Sequence, residues 1–319
     1  MLILHIGRHK TGTSSIQHFL HANREELKKY GFIYPEPIAA LAAHHGIALA
    51  LKAGEDVSQY QELLRSLRPR KQNVLLSSEG FQRVGPRDMR RLSRGYPTMA
   101  VVYLREQFSY AWSAYAQKVC AGTERRSFEE VLRTHVPNYD TFLGRWIRIT
   151  QDNLKVRIFE RKRLVGGDVV ADFCQTALGL DKTKFRPASI VNESLGWRSV
   201  NFMREINERI SLQPEFATVK RHTLEALREV GAEYPELMER PHFPSTMREQ
   251  YQALFVEQNK RIAMQFVGTP DQPLFDLSWQ GDSEWNTRES ATERHVNALC
   301  ECRPALRQFQ QILQSATTA

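Results

Sequence analysis

The chain predicts an α/β fold, a parallel β-sheet with helices on both faces, followed by a largely helical C-terminal portion. Three observations carry this. Short apolar runs at 1–7, 73–77 and 99–104, and the further segment 154–159, read as strands. Segments with helical spacing of apolar residues separate them, and strands alternating with helices at this interval pair in parallel, because each crossover returns the chain to the same edge. Beyond about residue 195 the strand signals fade and helical ones dominate.

In chain order, the run 1–7 ends at Gly7, and 14–30 carries Ile16, Phe19, Leu20 and Leu27 on a helical period before Gly31 stops it. Strand, glycine loop and helix follow one another directly. A brief second strand is expected at 31–35, with helices at 39–52 and 58–67. The strand 73–77 leads into Ser78 and Glu79, and the strand 99–104 leads into Arg105. Helical patterns then run from Arg105 to about Cys120, and over 127–134 and 139–151. After the strand 154–159 comes a helix at 165–178, closed by Gly179. Sheets of this kind bind ligands at the carboxyl ends of their strands, which singles out Lys10, Glu79 and Arg105.

In the C-terminal portion the clearest helices are 246–266 and 289–314. Pro235, Pro241 and Pro244 break the chain between helices, and the stretch holding Gly268, Pro270, Pro273 and Gly281 reads as a loop. The expected organisation is a domain over 1–270, with helical additions from about 196, and a loop with a peripheral helix over 271–319.

The 319 residues suffice for a sizeable core, and 41% of them are hydrophobic, as in ordinary globular proteins. There is no apolar run of about 18 residues, and the start of the chain lacks a basic leader and a small-residue cleavage site, so a cytoplasmic protein without a transmembrane segment is expected. Four scattered cysteines, Cys120, Cys174, Cys300 and Cys302, suit a reducing compartment. Cys300 and Cys302 with His295 make a weak zinc pattern, and ordinary helix-face cysteines are the expectation. The net charge of +8 attracts anions of many kinds. The basic residues are spread out and not interleaved with aromatics, which speaks against a nucleic-acid partner, while peripheral contact with a membrane stays open. Oligomeric state is not read from the sequence.

The loop Gly7-Arg8-His9-Lys10-Thr11-Gly12-Thr13-Ser14-Ser15 lies between a strand and a helix, where backbone N–H groups and the positive helix end suit a phosphate. Its glycines have the Walker A spacing, but Gly12 is followed by Thr13-Ser14 and the lysine has moved inside the loop. The stretch resembles the 5′-phosphosulfate loop of sulfotransferases, Lys-Thr/Ser-Gly-Thr-Thr/Ser, filled here by Lys10, Thr11, Gly12, Thr13 and Ser14. A second match is the strand ending at Arg105 with Ser113 eight residues on. In that family such a pair holds the 3′-phosphate that distinguishes 3′-phosphoadenosine 5′-phosphosulfate (PAPS) from ATP, and an arginine fork with a helix hydroxyl suits a phosphate on physical grounds as well. Less specific similarities extend over about 1–270, among them Asn192 and Ser194, which by analogy belong to a loop closing over the nucleotide.

The resemblance implies a P-loop NTPase-like three-layer sandwich, PAPS as co-substrate, adenosine 3′,5′-bisphosphate as product and no metal. Arg8, His9, Lys10, Thr11, Gly12, Thr13, Ser14, Ser15, Arg105, Ser113, Asn192 and Ser194 are the expected donor-binding residues, with Thr11, Thr13 and Ser14 offering hydroxyl donors. Lys10 is the expected stabiliser of the leaving phosphate. Glu79 is the expected general base, its pKa lifted if it is buried, and His44 and His45 are its rivals. The expected acceptor is a hydroxyl or amine of a carbohydrate, lipid or small molecule. Two other readings stand beside this one: a P-loop kinase using ATP, and a nucleotide-binding or scaffold protein without turnover.

Overall fold

The computed structural model describes residues 1–36, 42–67, 72–187, 194–268, 272–277 and 289–317. The chain forms two compact units, each assembled from three segments. The first comprises Met1–Glu106, Pro137–Val191 and Phe255–Leu277, and the second Gln107–Val136, Asn192–Leu254 and Ser278–Ala319.

The first unit holds a five-stranded sheet: β1 Leu2–His5, β2 Phe32–Ile33, β3 Asn73–Ser77, β4 Thr98–Leu104 and β5 Leu154–Ile158. All neighbours pair in parallel, in the order β2-β3-β1-β4-β5. Side chains alternate across the sheet and so supply two cores. Leu2, Leu4, Val74, Leu76, Val102 and Leu104 face one way, packed with residues of the helices His45–Ala53, Ser58–Leu67, Pro86–Leu92 and Tyr139–Thr150. Ile3, Leu75, Met99, Val101 and Tyr103 face the other, with Ile16, Phe19 and Leu20 of the helix Thr13–Ala22 and Phe173 of Val169–Phe173. The predicted three-layer α/β sandwich is therefore the observed one. Both core strands at the centre are buried along their whole length, which is why they read as continuous apolar runs.

The helices are more broken than their apolar spacing predicts. The pattern over 14–30 divides into Thr13–Ala22 and Arg24–Lys29 at Asn23. The Asn23 amide donates to the Phe19 and Arg186 carbonyls at 2.9 and 3.1 Å, and its oxygen accepts from the Arg186 N–H at 2.9 Å. The side chain thus exchanges helix continuation for a tie to a distant strand of backbone. Likewise 165–178 resolves into a short 3₁₀ turn, the α-helix Val169–Phe173 and a wide π turn ending at Gly179, whose φ of 67° suits glycine.

The main regular elements among the described residues of the second unit are helices, Gln107–Ala121, Phe128–Leu132, Trp197–Ile210, Phe216–Val230, Ser245–Ala253, Glu293–Cys302 and Gln310–Ser315. The expected helix 246–266 stops at Ala253 and resumes at Val256, and 289–314 is likewise interrupted at Arg303-Pro304. Phe108, Trp112, Tyr115, Phe128 and Phe243 form an aromatic cluster with ring centroids 4.8–5.6 Å apart. The Asn207 amide joins the Val119 and Glu124 carbonyls at 2.8 and 3.0 Å. Among the described residues no helix is long and apolar enough to cross a membrane.

A buried ion pair staples the sheet of the first unit. Asp172 is wholly buried, and accepts from Arg157 Nε at 2.9 Å and Nη2 at 2.5 Å, from the Tyr103 hydroxyl at 2.9 Å and from the Val165 N–H at 3.2 Å. Tyr103 and Arg157 are register partners on β4 and β5, so one carboxylate ties two strands to the helix above them. Removing it takes the shared acceptor from the buried Tyr103 hydroxyl and the partly exposed Arg157 guanidinium. Asp172→Ala is expected to lower unfolding stability by about 3–5 kcal/mol in urea titration, well beyond the roughly 1 kcal/mol of an average substitution.

Candidate active site

The carboxyl ends of β1, β3 and β4 bring Lys10, Glu79 and Arg105 to one edge of the sheet. β1 continues its pairing beyond its last residue: the Tyr103 N–H donates to the Gly7 carbonyl at 3.0 Å, and the Arg8 N–H to the Tyr103 carbonyl at 3.4 Å. From there the chain turns through Lys10 at φ 62° and Gly12 at φ 75°, and Gly12 caps the helix Thr13–Ala22. Backbone of this kind, turning into a helix start, presents successive N–H groups to an anion. Gly12 is required twice over. Its φ is left-handed, and a Cβ there would meet Val169 Cγ1 at 2.8 Å and Phe159 Cε2 at 3.1 Å.

The loop is braced from three directions. The Thr11 hydroxyl, fully buried, donates to the Arg8 carbonyl at 2.7 Å. Arg105 Nη1 donates to the Lys10 carbonyl at 3.1 Å, and the Arg105 carbonyl accepts from the Tyr139 hydroxyl at 2.7 Å. The Arg8 guanidinium lies over the rings of Tyr139 and Phe142, 4.8 and 5.1 Å from their centroids. Thr13, at the head of the helix, donates its hydroxyl to Glu79 Oε1. In this arrangement the hydroxyls of Thr11 and Thr13 both donate to protein acceptors, the Arg8 carbonyl and the Glu79 carboxylate. Ser14 is exposed and Ser15 half-buried at the helix start, beside half-buried Lys10.

Glu79 opens a 3₁₀ turn, Glu79–Arg83, directly after β3. Oε1 accepts from Thr13, and Oε2 lies 3.5 Å from His9 Nδ1. Burial alone raises its pKa, but the contacts with His9 and Thr13, and the nearby His45, outweigh burial and hold the carboxyl below the usual range. The expected upward shift is thereby reversed: Glu79 is a stabilised carboxylate. Gly80 lets this turn pack closely, since a Cβ would meet Ala48 Cβ of the helix His45–Ala53 at 2.7 Å.

The adjacent histidines have opposite surroundings. His44 is buried, its Nδ1 accepts from the Ser77 N–H at 3.1 Å and its Nε2 donates to the Pro35 carbonyl at 3.2 Å. Both ring nitrogens are committed and burial pulls the pKa down to about 4, so His44 is structural and leaves the set of candidate bases. His45 is only partly buried, with Nδ1 2.8 Å from Ser78 Oγ, which also accepts from the Gly80 N–H.

His5 is a site residue the sequence reading passed over, absorbed in the apolar run of β1. It is buried beneath the loop, with Nδ1 2.7 Å from Ser77 Oγ, Nε2 without a hydrogen-bond partner, and a Phe173 ring edge-on at 5.4 Å. Burial drives its pKa down to about 4 despite the neighbouring Glu79 charge. A histidine inside an otherwise apolar strand that ends at a glycine loop was the available signal.

Of the remaining predicted residues, Ser113 lies half-buried on the helix Gln107–Ala121 of the second unit, and Ser194 is exposed in the same unit. Asn192 lies outside the described residues. Among the described residues no cluster of three His, Cys, Asp or Glu side chains could hold a metal ion. Cys302 donates to Glu229 at 2.9 Å and His295 pairs with Glu236 at 2.9 Å.

No family model matches the chain. An uncharacterized protein of Archaeoglobus fulgidus is 29% identical over 205 residues, 62% of this chain and 55% of that protein, so the chain spans about half the length of this curated relative. Among solved structures, a sulfotransferase from Alicyclobacillus acidocaldarius aligns with 70% of this chain and 94% of its own, at 23% identity and a TM-score of 0.36.

The two buried histidines set a sign for stability against pH. Their folded pKa values, about 4, lie below the 6.5 of the unfolded chain, so the unfolded state binds more protons between these values. Their contribution is whole above pH 6.5 and is lost as pH falls through 4, by up to roughly 3 kcal/mol for each ring. The urea midpoint is expected to fall steadily from pH 7 to 4.5. His44→Gln is expected to start lower at pH 7 and to lose less on acidification.

Proposed function

We propose that the protein is a PAPS-dependent sulfotransferase, moving a sulfuryl group to a hydroxyl or amine of a carbohydrate, lipid or small metabolite. The observation that carries the reading is the bond from Arg105 Nη1 to the Lys10 carbonyl, which links the residues of both anion motifs at one sheet edge. A donor with phosphate groups at two positions matches two such motifs, whereas ATP has its charge on a single chain of phosphates.

The donor site is built on the loop backbone from Gly7 to Ser15. Lys10 offsets charge on the 5′-phosphate as its bond to sulfur breaks, and Ser14 offers a hydroxyl. Arg105 supplies a fork for the 3′-phosphate. The loop architecture suits this use, because Thr11, Arg105 and the Tyr139 ring fix its shape before any ligand arrives. Such preorganisation is what positions donor and acceptor for an in-line reaction. The base is centred on the Glu79 carboxylate and the imidazoles near it. The displaced lysine, and the absence of an aspartate at the end of β3 or β4, disfavour the kinase alternative.

Calorimetric titration with adenosine 3′,5′-bisphosphate and with ATP tests the reading. Micromolar binding of the bisphosphate, at least tenfold weaker binding of ATP, and a loss of about a hundredfold for the bisphosphate in Arg105→Ala are expected, the last equivalent to about 3 kcal/mol. Equal affinity for ATP, unchanged by Arg105→Ala, would contradict it.

A further inference from the structure

The carboxylate at the centre of this site is poorly placed to take a proton itself. Oε1 of Glu79 already accepts from Thr13, and Oε2 faces His9 at 3.5 Å, so both oxygens are turned to the loop. The same contacts hold the carboxyl below its usual range, which makes it a weaker base. His9 is the more open member of the pair, with 30% of its side-chain surface exposed against 18% for Glu79. It also precedes Lys10 in the chain, and so shares the loop that cradles the leaving group.

Resting on the sulfotransferase reading, the geometry points to a His9–Glu79 dyad, in which His9 Nε2 receives the acceptor's proton and Glu79 is the positioning residue behind it. Nδ1 lies 3.5 Å from Oε2, so in the dyad the neutral ring carries its proton on Nδ1, beside the carboxylate, and keeps its basic lone pair on Nε2. The acceptor oxygen bonds to sulfur while its proton passes to Nε2. The bond between sulfur and the bridging oxygen breaks, and its electron pair leaves with the 5′-phosphate of adenosine 3′,5′-bisphosphate. The imidazolium formed is stabilised by Glu79 and later gives its proton to water. Thr13 fixes the rotation of the carboxylate, and His45 is held by Ser78. Lys10 and Arg8 are the cations flanking His9 in the loop.

The test is a double-mutant cycle of His9→Gln and Glu79→Gln, with release of labelled sulfate from PAPS, water serving as acceptor, and calorimetric affinity for adenosine 3′,5′-bisphosphate. His9→Gln is expected to lower kcat by about a hundredfold or more. Glu79→Gln is expected to lose no more than that, and the double variant to stay within about threefold of His9→Gln, because the two residues act as a unit. Affinity for the bisphosphate is expected to change by less than about threefold, as fits a proton-transfer role with no part in uniform binding. Full turnover in His9→Gln with loss in Glu79→Gln would overturn the dyad and make Glu79 the proton acceptor. A readout free of turnover is the ¹⁵N spectrum of the neutral His9 ring. The dyad requires the Nδ1–H tautomer, and the Nε2–H tautomer would overturn it. Failure of the wild-type protein to bind the bisphosphate would instead fail the sulfotransferase reading, and is told apart because the tautomer is read in the free protein.

Discussion

The site depends on the position of β1. This four-residue strand is hydrogen-bonded along both edges, to β3 and to β4, and every side chain on it is buried. Its carboxyl end therefore has no freedom, and the pairing of Gly7 and Arg8 with Tyr103 carries that rigidity into the loop. Lys10 is delivered by β1, Glu79 by β3 and Arg105 by β4. Three chemically different groups reach one edge because three parallel strands end there.

Side-chain bonds convert this common edge into a defined arrangement. Thr13 ties the helix after the loop to Glu79, and Arg105 ties the strand on the other side to the loop backbone. Each contact joins segments more than 60 residues apart in the chain. The carboxylate is consequently a fixed charge facing His9, and the loop has a shape set by its own contacts. Such fixed dipoles and charges in partly desolvated surroundings are the usual source of transition-state stabilisation. The cost is carried by polar groups held inside apolar cores, notably His5 with one unpaired nitrogen and Asp172 with its ring of donors.

Much of this was legible in the sequence. The central strands could be read because strands buried on both faces are continuous apolar runs, as β1 and β4 are. The loop could be read because glycine at Gly12 is demanded by backbone conformation and by the approach of Val169. What could not be read were long-range partners. Nothing near Asn23 reveals that its side chain binds Arg186, and so the helix break was missed. His44 and His45 are neighbours with identical side chains, yet Pro35 and Ser77 claim one ring while Ser78 meets the other. For the same reason burial alone would raise the pKa of Glu79, where contacts from His9 and Thr13 produce a lowered one.

The central claim is that the edge shared by β1, β3 and β4 is a site for a nucleotide carrying phosphates at two positions. A crystal structure of the protein with adenosine 3′,5′-bisphosphate examines it most directly. The account predicts the 5′-phosphate within hydrogen-bond distance of Lys10 and the backbone N–H groups of the loop 7–15, and the 3′-phosphate on the Arg105 guanidinium. A nucleotide bound away from the loop, or one whose 3′-phosphate projects into solvent with Arg105 untouched, would contradict it.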